Sequence, residues 1–259
     1  MRSILCPADA AKTLDDRVET ALALARLVDG HVAFDFASPF GQMIAWEPFG
    51  GAALTAQVID QARDNDRALA SALEARLAPQ DVPFDVEMTD AGRIEGVTAA
   101  ARYADVIVMG LSDPVIEEIV LGTHCPVLAI PDGVPLLRFD VPMLVAWDGG
   151  NEGARAMRAS VPLLRMASAV HLVVVRDDDE PFAGAEAASY LSRHGIHAEV
   201  HAIKREGTAA AMIEATAHEL GAGLIVMGLF GKSRLREMVL GGVSRAMLDH
   251  SRIPLLLAH

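Results

Sequence analysis

From Gly228 to Ser244 the chain reads Gly-Leu-Phe-Gly-Lys-Ser-Arg-Leu-Arg-Glu-Met-Val-Leu-Gly-Gly-Val-Ser, so Gly228, Gly231 and Gly241 are spaced as G-x2-G-x9-G. Glycine at a strand-to-helix turn accepts positive φ and lets the backbone approach a ligand closely. The amides of Gly241 and Gly242 precede a helical stretch expected over 243–248. There, free N–H groups and the positive end of the helix dipole favour phosphate. Between Gly228 and Arg252 lie Lys232, Arg234, Arg236, Arg245 and Arg252 against only Glu237 and Asp249, in a chain of formal net charge −13. A local positive cluster against that global field is a second sign of an anion site. Each signal has an ordinary alternative, since loop glycines also serve turns and basic helix residues are usually a solvated face. The two together point to bound phosphate.

Other groupings carry less. The stretch from Gly110 to Pro126 resembles the glycine segment in position but holds Asp113, Glu117 and Glu118 with no Lys or Arg, and it is shorter. Gly-Lys-Ser at 231–233 is not a P-loop, because Val226 stands where the earlier glycine is required. Asp148-Gly149-Gly150 lacks the Ser-rich form of an adenylating loop and reads equally as a turn carboxylate. His194, His197 and His201 are close in sequence, but no carboxylate or Cys completes a set with clear spacing, so they are expected as surface histidines and no metal site is expected. Asp177 to Glu180 reads as a solvated loop. The apolar, Gly- and Pro-punctuated segment Ser38–Gly51, with Phe40, Met43, Trp46 and Phe49, is expected to pack on its own half, with a cover over a first-half crevice as the alternative.

The elements that must position these residues alternate regularly. Short apolar runs at 4–6, 31–36, 84–88, 106–109 and 127–130 are separated by helical periodicity at 15–28, 53–77 and 94–103. The pattern restarts with strands at 143–147, 170–175, 198–203, 224–227 and 255–257 and helices at 153–166, 183–194 and 208–220. Asp-Val-Ile-Val-Met-Gly-Leu at 105–111 repeats as Gly-Leu-Ile-Val-Met-Gly-Leu at 223–229, and Pro131–Pro142 is the natural linker. Two α/β domains follow, 1–131 and 141–259, each an open parallel five-stranded sheet flanked by helices. Ligands of such sheets sit beyond the carboxyl ends of the strands at the switch point, here between first and fourth strands, which joins the loops after Trp147 and Met227 in one crevice.

At this point the chain resembles the universal stress protein family. The spacing, its strand context and the repeat carry the resemblance, which covers nearly the whole sequence as a tandem pair. It implies a Rossmann-like fold and two halves paired through their last strands, an intramolecular pseudo-dimer that leaves room for a further homodimer. It also implies an ATP site with Mg²⁺ in the second half, with ADP or AMP as open alternatives. Gly228, Gly231 and Gly241 match the family glycines, and Lys232 and Val243 fall within the same segment. Asp148 matches the Asp at the end of the first strand, near adenine and ribose. Val175 falls where backbone groups hold the adenine edge, and Ser244 matches a hydroxyl position. One departure is Gly242, where the family usually has Ser or Thr. It removes a hydroxyl donor worth about 1 kcal/mol but keeps the amide. The first half, with no second or third glycine, carries a degenerate motif.

Composition bounds the rest. A chain of 259 residues has room for two cores, and hydrophobic residues at 52% with aromatics at 5% suit helices on buried parallel strands. The acidic balance argues against nucleic acid or an anionic membrane as partner. No run of about 18 uncharged apolar residues occurs, and the amino terminus lacks a signal-peptide pattern. Cys6 and Cys125 are expected as reduced, buried thiols, consistent with a cytoplasmic protein. The resulting expectation is a nucleotide-responsive stress or signalling protein acting on a protein partner. No activated nucleophile or positioned base is evident, so slow ATP hydrolysis or self-phosphorylation is the most that the family resemblance implies. The alternative is a nucleotide-independent scaffold, or a small-molecule binder, with vestigial sites.

Overall fold

The computed structural model describes residues 1–38, 52–136, 138–177, 184–229 and 242–259. The first half runs β1 (Ser3–Pro7), α1 (Leu14–Val28), β2 (His31–Ala37), α2 (Ala52–Leu77), β3 (Phe84–Thr89), α3 (Arg93–Ala100), β4 (Val106–Gly110), α4 (Ile116–Gly122) and β5 (Val127–Ile130). The second half runs β6 (Pro142–Ala146), α5 (Asn151–Leu164), β7 (Ala169–Arg176), α6 (Gly184–Arg193), β8 (Ala198–Lys204), α7 (Ala209–Glu219), β9 (Leu224–Gly228), α8 (Gly242–His250) and β10 (Leu255–Ala258). The expected parallel α/β architecture is present, with every strand of the sequence reading in place to within two residues.

Each half orders its strands 3-2-1-4-5, and the halves join into one ten-stranded sheet, β3-β2-β1-β4-β5-β10-β9-β6-β7-β8. All neighbours are parallel except β5 and β10, which pair antiparallel through Ala129↔Leu255, Leu128↔Leu256 and Val127↔Leu257. The central strands are buried along their whole length, as in β4 and β5. That is why they read as unbroken apolar runs rather than alternating ones.

Helices cover both faces. On one, α1, α2, α5 and α6 pack with Leu22, Leu73, Leu163 and Leu191 in the core; on the other, α3, α4, α7 and α8 pack through Val97, Ile119, Ile213 and Met247. Helix α1 stops at Asp29, a left-handed residue at φ 51°, where the amide of Gly30 closes on the carbonyl of Ala25 at 2.9 Å. Helix α7 starts at Thr208, whose hydroxyl accepts from the amide of Ala211 at 3.3 Å. Two differences from the sequence reading concern short elements. The helix read over 94–103 ends at Ala100 and tightens into a 3-10 turn, Ala101–Tyr103. Helix α4, of seven residues, lies in the stretch from Gly110 to Pro126, where the alternation of strands and helices calls for a helix but the sequence reading assigned it no bounds, because it is too short for its periodicity to register.

Candidate functional site

The switch point of the second half lies between β6 and β9, which pair through Ala146↔Met227. The loops after Trp147 and Met227 therefore leave the sheet side by side. Gly228 ends β9 pressed on the first turn of α5: a Cβ there would lie 2.3 Å from the amide nitrogen of Gly153 and 2.5 Å from the carbonyl carbon of Glu152. This first motif glycine is thus required by strand-to-helix packing, a role the sequence reading had set against ligand approach. Gly231, Lys232 and Gly241 lie outside the described residues, as does the apolar segment from residue 39 to Gly51.

Asp148 is exposed beyond β6, and its Oδ1 accepts from the amide of Gly150 at 2.8 Å. Cβ atoms built on Gly150 and Gly153 would each lie 3.0 Å from that oxygen. Both glycines therefore leave the carboxylate room over the start of α5, and Asp148 is a turn residue in its own right. Val175 sits near the end of β7. The carbonyl of Val173 accepts from the amide of Trp147 at 2.8 Å. Backbone groups two residues apart on a strand face the same neighbour, so the N–H and C=O of Val175 point to the side where β6 has already ended. That edge can meet a planar heterocycle's donor and acceptor.

Gly242 opens α8 with no atom of the described residues within 4 Å of where its Cβ would be, followed by half-buried Val243 and buried Ser244. Among the described residues, nothing crowds the place of the missing hydroxyl. Of the basic cluster, Arg245 is already engaged: its Nε donates to Asp249 at 2.9 Å and its Nη1 to Glu117 at 2.9 Å. It lines a cleft of about 440 Å³ between the halves together with Asp113, Glu117, Asp132 and Asp249, so that cleft is acidic overall. The charge argument for an anion site correspondingly loses Arg245.

The equivalent crevice of the first half is built differently. The register Ile4↔Val106 matches Met143↔Leu224, which sets Asp9 against Asp148 and Arg17 against Ala156. Arg17 is buried at 1% exposure; its Nη1 donates to the carbonyl of Pro7 and its Nη2 to Asp9, both at 2.5 Å. Arg93, the first residue of α3, reaches Asp9 at 2.7 Å and Asp113 at 2.5 Å. Its counterpart at the start of α7 is Ala209. Burial, which alone would lower the pKa of Arg93, is outweighed by the hydrogen bonds and charges of Asp113 and Asp9, which raise it. Nearby, Asp35 is buried with Oδ1 accepting from the Thr89 hydroxyl at 2.6 Å and Oδ2 without a hydrogen-bond partner. Burial pushes its carboxyl above the usual range, against the opposing hydrogen bond of Thr89 and the charge of Arg93. The acidic walls read for this crevice are therefore neutralised from other helices. Arg17 and Arg93 were missed because neither belongs to a motif in the sequence; the fold brings both to Asp9.

The structure also unites residues that sequence spacing kept apart. His171 on β7 is the register partner of Glu199 on β8, with His201 two positions on. His171 Nδ1 lies 3.1 Å from His201 Nε2. Burial first, and then the charge of His201, hold the His171 imidazole below its ordinary range. His201 was grouped with His194 and His197 by proximity in sequence, whereas strand register chose its real neighbours.

An open α/β sheet of this order leaves a loop crevice at its switch point, the place where ligands of such sheets bind. Residues 142–259 match the model of the Universal stress protein family, so a domain of that family occupies the second half. Among solved structures, a universal stress protein from Archaeoglobus fulgidus DSM 4304 superposes with a TM-score of 0.72 at 20% identity, covering 99% of this chain and 97% of its own. A putative universal stress protein from Pseudomonas aeruginosa UCBPP-PA14 gives 0.59 at 16% identity, covering 100% and 93%. At these identities the likeness is one of fold over both halves. No curated protein sequence matches the chain. Among the described residues, no helix is long and apolar enough to cross a membrane.

Proposed function

We propose that the chain is a cytoplasmic tandem universal stress protein whose second half binds ATP with Mg²⁺, the first half serving as its non-binding structural partner. The observation that carries this reading is the contrast between equivalent crevices. Arg17 and Arg93 fill the first with ion pairs, and Ala156 and Ala209 stand at the matching positions of the second. The second crevice also opens at Gly228, where the glycine motif begins, and at the backbone edge of Val175 beyond the end of β6. In this reading Val175 meets the adenine edge, Asp148 the ribose side, and the glycine motif with Gly231, Lys232, Gly241, Gly242, Val243 and Ser244 the phosphates. Among the described residues of the crevice, none is set as nucleophile or base. The nucleotide is thus an effector that biases partner binding rather than a substrate turned over quickly.

Calorimetric titration of nucleotide-free protein with ATP and Mg²⁺ tests the proposal, alongside Gly231→Val and Gly241→Val variants verified as folded. Micromolar binding lost in both variants supports the second-half site. Absence of binding at millimolar ATP favours the second reading, a nucleotide-independent scaffold. The packing role of Gly228 and the missing hydroxyl at Gly242 already speak for that reading.

A further inference from the structure

We propose that His171, Glu199 and His201 form a zinc site that clips the edge strand β8 to β7, on the sheet face covered by α7 and apart from the nucleotide crevice. His171 Nδ1, His201 Nε2 and a Glu199 carboxylate oxygen lie mutually 3.1, 3.5 and 3.9 Å apart. Three donors bound to one Zn²⁺ at about 2.05 Å with tetrahedral angles stand about 3.3 Å apart. The triangle therefore already has nearly the size of one face of a coordination tetrahedron. Two imidazoles and one carboxylate make a donor set that suits Zn²⁺, with the fourth position left for water.

The placement is rigid for a reason visible in the ladder. Val170↔Ala198 through Arg176↔Lys204 pair in unbroken parallel register, which sets His171 opposite Glu199 and His201 opposite Val173. Side chains two apart on a strand share a face, so all three donors project to the same side from two neighbouring strands. His171 is buried, His201 half-buried and Glu199 exposed. The metal would thus be gripped from below by imidazole and reached from solvent past the carboxylate. Val175 is four residues further along β7, roughly 13 Å at about 3.3 Å per residue. Zinc and nucleotide binding are accordingly separable. Without metal, the two facing ring nitrogens share one hydrogen bond. Loading requires only that the donating imidazole carry its proton on its other nitrogen, so that both facing lone pairs meet the ion.

The test uses full-length protein stripped with a chelator and titrated with Zn²⁺ in competition with a chromogenic chelator. The expected result is one tight equivalent per chain. His201→Ala and Glu199→Gln should each weaken it at least tenfold, since even partners behind a ligand typically matter that much. His194→Ala with His197→Ala should leave it unchanged. Co²⁺ in place of Zn²⁺ should give visible d–d bands of four-coordinate intensity that vanish in His201→Ala. Glu199 is exposed, so its variant keeps the test open even if a histidine variant fails to fold. No stoichiometric binding, or binding untouched by Glu199→Gln and His201→Ala, overturns the site and leaves the two histidines as a hydrogen-bonded pair only.

Discussion

Arg17 Nη2 donates to Asp9 Oδ1 at 2.5 Å across the switch point of the first half, where the corresponding residues of the second half are Ala156 and Asp148. One substitution in a repeated unit thereby converts a crevice mouth into a closed ionic corner. Because Arg17 is buried and also holds the carbonyl of Pro7, Arg17→Ala leaves a cavity and an unpartnered acceptor. Loss of one member of a buried pair costs about 3 to 5 kcal/mol, and the partial exposure of Asp9 sets the expected value near the lower end. Urea denaturation should show it. Arg17→Lys should restore little, since one ammonium cannot reproduce the two directed bonds of the guanidinium. Equal stability of Arg17→Ala and wild type would mean that the corner is solvated rather than closed.

Two glycines of the same motif should respond in opposite ways. Gly228→Ala drives a methyl carbon to 2.3 Å from the Gly153 amide nitrogen, and overpacking of backbone on backbone should cost about 3 kcal/mol. Gly242→Ser meets open space among the described residues and exchanges glycine for a better helix residue, so stability should hold or rise slightly. If the second crevice takes ATP, the restored hydroxyl should tighten binding about fivefold, the equivalent of roughly 1 kcal/mol. Thermal unfolding ranks the two variants without nucleotide, and calorimetry reads the affinity. A destabilised Gly242→Ser would show that the start of α8 is crowded by the preceding loop.

How far the sequence was legible follows from the range of each signal. Strand positions and their repetition were readable because burial on both faces turns β4, β5, β9 and β10 into apolar runs. The short α4 was not, because seven residues give barely two turns of periodicity. Asp148 and Val175 were singled out by the family resemblance at strand ends, and the fold sets Asp148 just past β6 and Val175 within the last two residues of β7. Arg17 and Arg93 were invisible because their meaning lies in Asp9, which the turn into α1 brings to Arg17 and the packing of α3 brings to Arg93. His171 was overlooked for the same reason: its partners are set by the β7–β8 register and not by spacing along the chain.

Both thiols are free and buried, and burial pushes Cys6 up to about 11 and Cys125 up to about 12. At pH 8 only about one Cys6 in a thousand is then the reactive thiolate. Native protein should therefore resist a disulfide-exchange reagent, while urea-unfolded protein should release two equivalents promptly. Fast labelling of one thiol in the native state would show that its strand opens locally.

The buried carboxyl of Asp35 fixes the sign of a pH effect. Its folded pKa is raised by burial above the unfolded value, so between the two the folded state holds more protons than the unfolded one. Stability from this group is fully present below the unfolded pKa, near 3.9, and is lost as pH rises through the folded pKa. At neutral pH the ionised form is thus a burden on the fold, with Oδ2 unpartnered and only Thr89 and Arg93 opposing the loss of water. Asp35→Asn keeps the acceptor for the Thr89 hydroxyl and removes the charge. The difference in unfolding free energy, variant minus wild type, should accordingly be larger at pH 8 than at pH 4, with the change confined to the window above about 3.9. Urea titrations of both proteins across that range measure it. A difference that stays constant with pH would mean that Asp35 ionises as freely in the fold as in the unfolded chain, its charge neutralised by Arg93.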